Sequence, residues 1–414
     1  MTNTPLALVI RVAEYRKYLL CFLLLGTTTS SAFPLLSLFL SSQLHADDST
    51  IGLYAVSTVA GAAVSLATGW LSDRIPSRKK LLRQTLVWLA FGWISLALTG
   101  SVWEAFVINV LFFSVLGTVS AQFFASLAET LDQNDSSSRS TITATIRSAY
   151  SLGYVVGPLI GTTVSSLYGL RVSFVITAAL YVCCTALSLT LQDVRRELPY
   201  KPKLSIRSLR AGGPAVLVFI VGTTLVLSGD SLKSIYLPLY VTGHLGGSLL
   251  TFGSLMSVSA VCEVVVMPFV GILSDHFGIY TIVTAGIAVG VVDFSILALS
   301  NQVWNLYLVQ VIHVIVLSVT LGLGPTFLQQ FSTLGAGAAS SIFFAGQSLA
   351  NVVSGTTGAI GIRAIGLPGI FWVPAVSFLL VMVGLLLRRE GGEPAPAQPR
   401  SSGGSDAEPS PRQA

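Results

Sequence analysis

Long apolar stretches alternate with short polar segments along almost the whole chain. A membrane-spanning helix needs about 20 predominantly apolar residues, and twelve stretches approach or exceed that length. They lie at 18–44, 51–73, 81–100, 103–129, 140–167, 171–191, 214–242, 249–274, 279–299, 303–330, 337–362 and 367–387. The pattern predicts an all-α membrane protein with twelve transmembrane helices.

The composition excludes a soluble fold. The 414 residues are 52% hydrophobic and 10% charged, with a mean hydropathy of +0.77, whereas soluble domains carry roughly 25% charged residues. A pI near 9.1 is also typical of nucleic-acid-binding proteins. The basic residues here lie in short loops between apolar stretches, which indicates a membrane topology signal and no nucleic-acid partner.

The longest polar connection predicts a division into two halves. Residues 192–213 are rich in charge and proline, and we interpret them as a cytoplasmic linker between six-helix halves at 1–191 and 214–387. Val102-Trp103 and Val303-Trp304 recur at an offset of about 200 residues, as do Pro34 and Pro238, which indicates internal repetition. The Gly/Pro/Ser-rich tail, 388–414, is expected to be disordered.

The distribution of lysine and arginine predicts the orientation. Basic residues are concentrated on the side of the chain termini, and the opposite side has only Arg171 and Arg363. Because cytoplasmic loops carry the excess of positive charge, we expect both termini to be cytoplasmic and the protein to be a multi-pass protein of the cell (inner) membrane.

A polar motif follows the second stretch. Gly69-Trp70-Leu71-Ser72-Asp73-Arg74 leads into a basic cluster containing Arg78, and a weaker copy begins at Gly271 and contains Asp275. The positive-inside rule alone accounts for the basic residues but not for the Gly-x-Leu-x-Asp-Arg spacing. The motif resembles the loop after the second helix of major facilitator superfamily transporters. That resemblance implies a cytoplasmic gating latch formed by Gly69, Asp73, Arg74 and Arg78, with Asp275 as its counterpart.

The fifth stretch contains small residues at a spacing of four. Gly153, Gly157 and Gly161 allow close helix packing, and Pro158 removes one backbone hydrogen bond and bends the helix. Tight packing alone is one interpretation. The Gly-Pro-x-x-Gly form also resembles the motif of export-type members of the superfamily.

Ionisable residues at membrane depth are costly and are therefore functional candidates. Glu263 lies in the middle of the eighth stretch and is the leading candidate for proton coupling, the alternative being a fixed hydrogen bond. The other coupling candidates form two possible pairs that could equally be static: Glu129 with Arg147, and Asp230 with Lys233 three residues away. No role is assigned to Asp293 in the ninth stretch.

Uncharged polar side chains in several stretches are candidates for binding a neutral, polar ligand such as a sugar. For each of them the alternative is a hydrogen bond between helices. The candidates are Asn109, Gln122, Tyr150, Tyr154, Gln310, His313, Gln329, Gln347 and Asn351.

A more specific resemblance covers nearly the whole chain outside the central linker and the tail. Pro34-Leu35-Leu36-Ser37, Gln122-Phe123-Phe124-Ala125 with Glu129, and Arg147 with Val156-Gly157-Pro158 are similar to bacterial sugar efflux transporters. Glu263 and Gln310 continue the match. The resemblance implies export of glucosides, galactosides or lactose-like sugars by proton antiport. Departures from the family pattern fall at Ala128, Tyr236 and His313.

Our interpretation is a secondary transporter that works by alternating access as a monomer, with a sugar and protons as its ligands. A proton-coupled exporter of drugs or amphiphiles is the first alternative, and a membrane sensor that binds without transporting is the second. We find no P-loop, no metal-ligand spacing and no nucleophile–base pattern. We therefore expect neither an enzyme nor a cofactor or metal site.

Overall fold

The computed structural model describes residues 11–72, 77–133, 139–192, 213–330 and 336–390, and within them each of the twelve predicted stretches is mostly helical. We call residues 11–192 the N-terminal half, and its described residues contain nine α-helices. They are α1 Ala13–Ala32, α2 Leu36–Leu44, α3 Asp48–Val56, α4 Val59–Ser72, α5 Arg78–Leu98, α6 Val102–Phe112, α7 Leu116–Gln133, α8 Arg139–Tyr168 and α9 Leu170–Leu189.

We call residues 213–390 the C-terminal half, and its described residues contain six more α-helices. They are α10 Gly213–Leu239, α11 Leu249–Phe277, α12 Ile279–Leu299, α13 Val303–Gln330, α14 Ala336–Gly369 and α15 Trp372–Glu390. Seven helical segments of the described chain are long and apolar enough to cross a membrane, or eight if the bent pair 346–369 and 372–387 is one span. The linker segment 193–212 and the tail 391–414 lie outside the described residues.

Some predicted spans are interrupted, and others begin at well-defined caps. A 3-10 turn, Phe33–Leu35, separates α1 from α2 at Pro34, where proline supplies no backbone N–H for a continuous helix. At the start of α6, Ser101 and Glu104 form a reciprocal capping box, which satisfies backbone N–H groups that have no partner within the helix. Such caps allow short loops between neighbouring antiparallel helices.

Side-chain contacts define the two ends of the bundle. At the end where the two halves begin and end, the Glu14 carboxylate accepts hydrogen bonds from Lys17 Nζ at 2.9 Å and from the backbone N–H of Gln192 at 2.6 Å. We call this the terminal end. At the opposite, distal end, Arg171 donates to the carbonyls of Ala97 and Thr99 at 2.6 and 2.8 Å. Leu98 and Leu299 are 78% and 70% exposed, as expected for an apolar surface that faces lipid.

The glycine face of α8 lies against α1. A Cβ atom added at Gly153 would lie 2.3 Å from the carbonyl oxygen of Leu23, and one added at Gly161 would lie 1.8 Å from that of Ser31. Only glycine permits so close an approach of two backbones. The opposite side of the same helix meets α11, where Ser257 Oγ donates to the Val155 carbonyl at 2.7 Å. Helix α8 therefore links its own half to the other.

A second junction between the halves lies at the distal end, where α3 meets α14. The Tyr236 hydroxyl, from α10, donates to the Asp48 carbonyl at 3.1 Å. Arg363 Nε donates to Ser49 Oγ at 2.7 Å, and its guanidinium lies 3.3 Å from the Asp47 carboxylate. The backbones of α3 and α14 are also in close contact, at Gly52 and Gly355. We call this set the distal seal: Asp47, Asp48, Ser49, Gly52, Tyr236, Gly355 and Arg363.

Candidate functional site

Part of the predicted gating motif lies beyond what the structure describes. Asp73 and Arg74 fall in the gap between α4 and α5, outside the described residues. Gly69 and Arg78 belong to α4 and α5, but the Arg78 side chain is not described. The same holds for the side chains of Glu129 in α7 and Gln329 in α13, so the proposed pair of Glu129 with Arg147 stays a prediction. Asp275 is exposed near the terminal end of α11.

Two tyrosines of α8 present hydroxyl groups to the interior of the bundle. The rings of Tyr150 and Tyr154 lie 5.0 Å apart, and their hydroxyl oxygens are 3.3 Å apart. Tyr154 is 37% exposed, yet it lies within electrostatic range of Tyr181 on α9 and Glu263 on α11. Because those neighbours belong to other helices of the bundle, the exposed part of Tyr154 faces an internal space and not lipid.

Glu263 borders the same space. Its side chain is half-buried on α11 and lies within electrostatic range of Asp230, His313 and Arg147. These neighbours lie on α10, α13 and α8, so charged groups from both halves converge near Glu263. The space therefore combines phenolic hydroxyl groups with carboxylates, and carboxylates accept hydrogen bonds from hydroxyl groups.

A buried network of ionisable residues lies beside this space, in the C-terminal half. His313 Nδ1 is 2.7 Å from Asp293 Oδ2, and His313 Nε2 is 3.1 Å from Asp230 Oδ1. Lys233 Nζ donates to Gln310 Oε1 at 2.8 Å. We call Asp230, Lys233, Asp293, Gln310 and His313 the His313 cluster. Its members come from α10, α12 and α13.

Within this arrangement Asp230 and Lys233 lie within electrostatic range of each other, but each has its hydrogen bond with another residue. The three-residue spacing does place both on one side of α10, but within the described residues Asp230 contacts His313 and Lys233 contacts Gln310. Lys233 is within electrostatic range of both Asp230 and Asp293. Its charge therefore serves the whole cluster and not a single partner.

The cluster is deeply buried except at one member. The side chains of Asp293 and His313 are 0% and 4% exposed, whereas that of Asp230 is 38% exposed. Buried charges are tolerated only where partners compensate them. Asp293 Oδ1 and Gln310 Nε2 have no hydrogen-bond partner among the described residues. The cluster thus keeps unused hydrogen-bonding capacity.

The uncharged candidates separate into structural and cavity groups. Asn109 Nδ2 donates to Ser57 Oγ at 2.6 Å and is buried, which favours the helix-to-helix interpretation for that residue. Gln122 is also buried. Asn351 is half-buried on α14 and accepts a hydrogen bond at 2.7 Å from Ser231, which follows Asp230 in the chain. Gln347, one turn before Asn351, is half-buried too.

Two parts of this arrangement are not predicted by the sequence pattern. For Asp293 the available signal is its position as an ionisable residue at membrane depth. The distal seal was not predicted. Its signals were the arginine at position 363, an exception to the charge distribution, and the small-residue spacing Gly355-Thr356-Thr357-Gly358 in the eleventh stretch.

Comparison with known proteins agrees with this architecture. The sequence model of the Major Facilitator Superfamily matches this chain at residues 18–327 and 218–413. The chain is 27% identical over 367 residues to sugar efflux transporter A of Escherichia coli, covering 87% of this chain and 93% of that protein. It is 26% identical over 396 residues to the multidrug resistance protein MdtG of Enterobacter lignolyticus, covering 91% of this chain and 93% of that one.

Among solved structures, the nucleoside transporter NupG matches with a TM-score of 0.79 at 12% identity, covering 92% of this chain and 100% of that one. At that identity the likeness concerns the fold alone. The matched region covers most of this chain, and the polytopic helical fold agrees with it: the protein belongs to the Major Facilitator Superfamily. It is a multi-pass membrane transport protein and not an enzyme.

Proposed function

We propose that this protein exports sugars of the glucoside, galactoside or lactose-like class across the cell (inner) membrane by proton antiport. Both termini would be cytoplasmic, and the monomer would be the functional unit. The carrying observation is the internal surface where Tyr154, with Tyr150 beside it, lies within electrostatic range of Glu263, which in turn lies within range of Asp230. Paired hydroxyl donors, acceptors and aromatic faces suit a neutral polyhydroxylated ligand. Relatives named sugar efflux transporters support the same substrate class.

Alternating access would proceed by opening the distal seal while the terminal end closes. The described residues hold the distal end closed through Tyr236, Arg363 and the contact of α3 with α14. In the proposed orientation this is the side opposite the cytoplasm, so the internal space would load sugar from the cytoplasm. Asp73, Arg74 and Asp275 would form the latch that closes the terminal end in the other state.

The test is counterflow in proteoliposomes. Purified protein is loaded with unlabelled lactose or glucose, and entry of labelled sugar is followed with and without a pH gradient. We expect sugar entry in the loaded vesicles and a response to the gradient. In Tyr154→Phe the lost hydroxyl is worth about 0.5–1.5 kcal/mol, so apparent sugar affinity should fall by up to about tenfold.

Tyr168→Phe is the matched control, because Tyr168 lies on the same helix but is 70% exposed near the distal end. It should bind sugar as the wild type does. Folded wild-type protein that moves no member of a sugar panel would refute the proposal. An unchanged affinity in Tyr154→Phe would remove that residue from the binding surface.

Export of drugs or amphiphiles is the second candidate. The relatives named multidrug resistance proteins and the half-buried acidic group Glu263 favour it, since a single carboxylate can anchor a lipophilic cation. The same vesicles tested with lipophilic cations in place of sugars separate the two functions. Transport of the cations without transport of sugars would select the second.

A further inference from the structure

The hydrogen bonds of His313 require more protons than a neutral imidazole carries. Both of its ring nitrogens face carboxylate oxygens, at 2.7 Å for Asp293 and 3.1 Å for Asp230. A neutral imidazole has one N–H and one bare lone pair. With one proton fewer, a nitrogen lone pair would face a carboxylate lone pair at one of these contacts. The observed geometry is therefore that of a proton-loaded cluster.

Charge counting supports the same state. With His313 protonated, its charge and that of Lys233 balance the two carboxylates, and the cluster is neutral. Loss of one proton leaves a net charge of −1 on groups that are largely buried in the bundle. An uncompensated charge at membrane depth is unfavourable, so proton loss must be accompanied by rearrangement. This gives the cluster two distinct states.

The contact to Asp230 is the one that can open. It is the longer of the two, and the Asp230 side chain is 38% exposed while that of Asp293 is fully buried. The Asp293 side chain is enclosed by the protein, so Asp293 acts as a positioning residue that holds His313 in place through Nδ1. The exchangeable proton therefore resides on Nε2. When it leaves for water in the internal space, the electron pair stays on Nε2, and the Asp230 carboxylate is released.

We propose that the His313 cluster is the proton-carrying site of this transporter, and that Asp230 is held either by protonated His313 or by sugar hydroxyl groups, but not by both. The inference rests on the proposed sugar export and specifies how that export is coupled. Since proton and sugar compete for one carboxylate, binding of either promotes release of the other, which is the requirement for antiport. Glu263, the leading candidate from the sequence, then borders the ligand without carrying the coupled proton.

Other charged groups around the cluster fit this assignment. Helix α10 contributes Lys233, and α12 contributes Asp293. Helix α11 presents Glu263 within electrostatic range of His313, and Arg147 of α8 in turn lies within range of Glu263. Helix α14 contributes the neutral Asn351, which accepts a hydrogen bond from Ser231 of α10. Among the described residues neither Glu263 nor Arg147 forms a hydrogen bond with the cluster, whereas His313 contacts both of its carboxylates directly.

The test measures sugar binding against pH and, separately, proton release without sugar. For the wild type, the apparent sugar Kd should rise by up to about tenfold for each unit that the pH falls, the limit for competition with one proton. In His313→Gln this dependence should disappear, together with sugar accumulation driven by a pH gradient. In Asp293→Asn the pH profile should shift, because His313 loses the partner that positions it. His244→Gln, a change at an exposed histidine of the distal end, should match the wild type.

Proton release decides the assignment independently of transport. Detergent-solubilised His313→Gln should release one proton fewer per molecule than the wild type between about pH 5 and about pH 9, with folding checked by size-exclusion chromatography. Equal proton counts would overturn the inference, as would a wild-type pH dependence of binding in both His313→Gln and Asp293→Asn. If the wild type moves no sugar, the proposed function fails, and the proton count still decides whether the cluster carries a proton.

Discussion

Replacing Gly52 by alanine should open the distal seal. A Cβ atom at this position would lie 2.6 Å from the Tyr236 hydroxyl, 2.7 Å from the Ala359 nitrogen and 2.9 Å from the Gly355 carbonyl oxygen. Two of these three atoms belong to the α14 backbone, which cannot swing aside as a side chain can. The added methyl group can therefore be accommodated only if α3 and α14 separate.

The size of the effect follows from that overlap. Overpacking of a close contact costs about 1–3 kcal/mol. Because the strain exists only while α3 and α14 are in contact, it acts on the distal-closed state and not on the state in which they separate. The population ratio of closed to open forms should therefore fall by roughly 5- to 150-fold.

Spin labels across the distal end would measure this shift. Cysteines at the exposed positions His45 and Asn301, in a background lacking the four native cysteines, report the distance between the halves by pulsed electron paramagnetic resonance. We expect Gly52→Ala to gain a longer-distance population. Gly222→Ala is the control, since its added Cβ would lie 3.8 Å from Val381, an ordinary contact. A distance distribution in folded Gly52→Ala that matches the wild type would refute the reasoning.

Three further predictions concern the seal and the scaffold. Tyr236→Phe removes the hydrogen bond to Asp48, worth about 0.5–1.5 kcal/mol, and should give a smaller shift toward the long distance; a shift as large as that of Gly52→Ala would contradict this ranking. The hydrogen bond from Thr50, followed by Arg363, lowers the pKa of Asp47. The contribution of the Asp47 carboxylate to the stability of the distal seal is thus complete above the ordinary aspartate pKa of about 3.9. That contribution is lost as the pH falls through the lowered pKa. Asp47→Asn should accordingly differ from the wild type in spin-label distance at neutral pH. The two proteins should give the same distance only below the ordinary aspartate pKa, and equal distances at pH 6 would be inconsistent with a lowered pKa. Gly153→Ala, whose Cβ would lie 2.3 Å from the Leu23 carbonyl oxygen, should lower the thermal unfolding midpoint, whereas Gly384→Ala, with no atom within 4 Å, should leave it unchanged.

The helical boundaries were largely predictable because the bilayer imposes a length on every apolar stretch. The predicted helices at 279–299 and 303–330 coincide with α12 and α13 at both ends. Helix α12 begins directly after Gly278, and α13 begins one residue before Trp304, and both signals are visible in the sequence. The breaks within other spans were less evident. Pro34 belongs to a predicted repeat, but the repeat does not predict the 3-10 turn that Phe33–Leu35 forms between α1 and α2.

The partners of the buried charges were not predictable from spacing. Asp230 and Lys233 share a side of α10 because three residues nearly complete a turn. Their actual hydrogen-bond partners, His313 and Gln310, are supplied by α13, and only the packing of α10 against α13 makes those contacts possible. Asp293 could be flagged by its cost in the membrane, but its contact with His313 again joins two different helices. The distal seal joins residues more than 180 positions apart, such as Asp48 and Tyr236.

Helix α8 divides two tasks between its faces, and this division has a consequence for how the protein can diversify. Gly153 and Gly161 are constrained by the backbone of α1, whereas Tyr154 projects into the internal space. Under the proposed function, a change at Tyr154 would alter what the space accepts without loosening the packing of α1 and α8. Ligand preference would then change through single substitutions while the scaffold persists. Relatives named as a sugar efflux transporter and as a multidrug resistance protein are accordingly similar to this chain at 27% and 26% sequence identity.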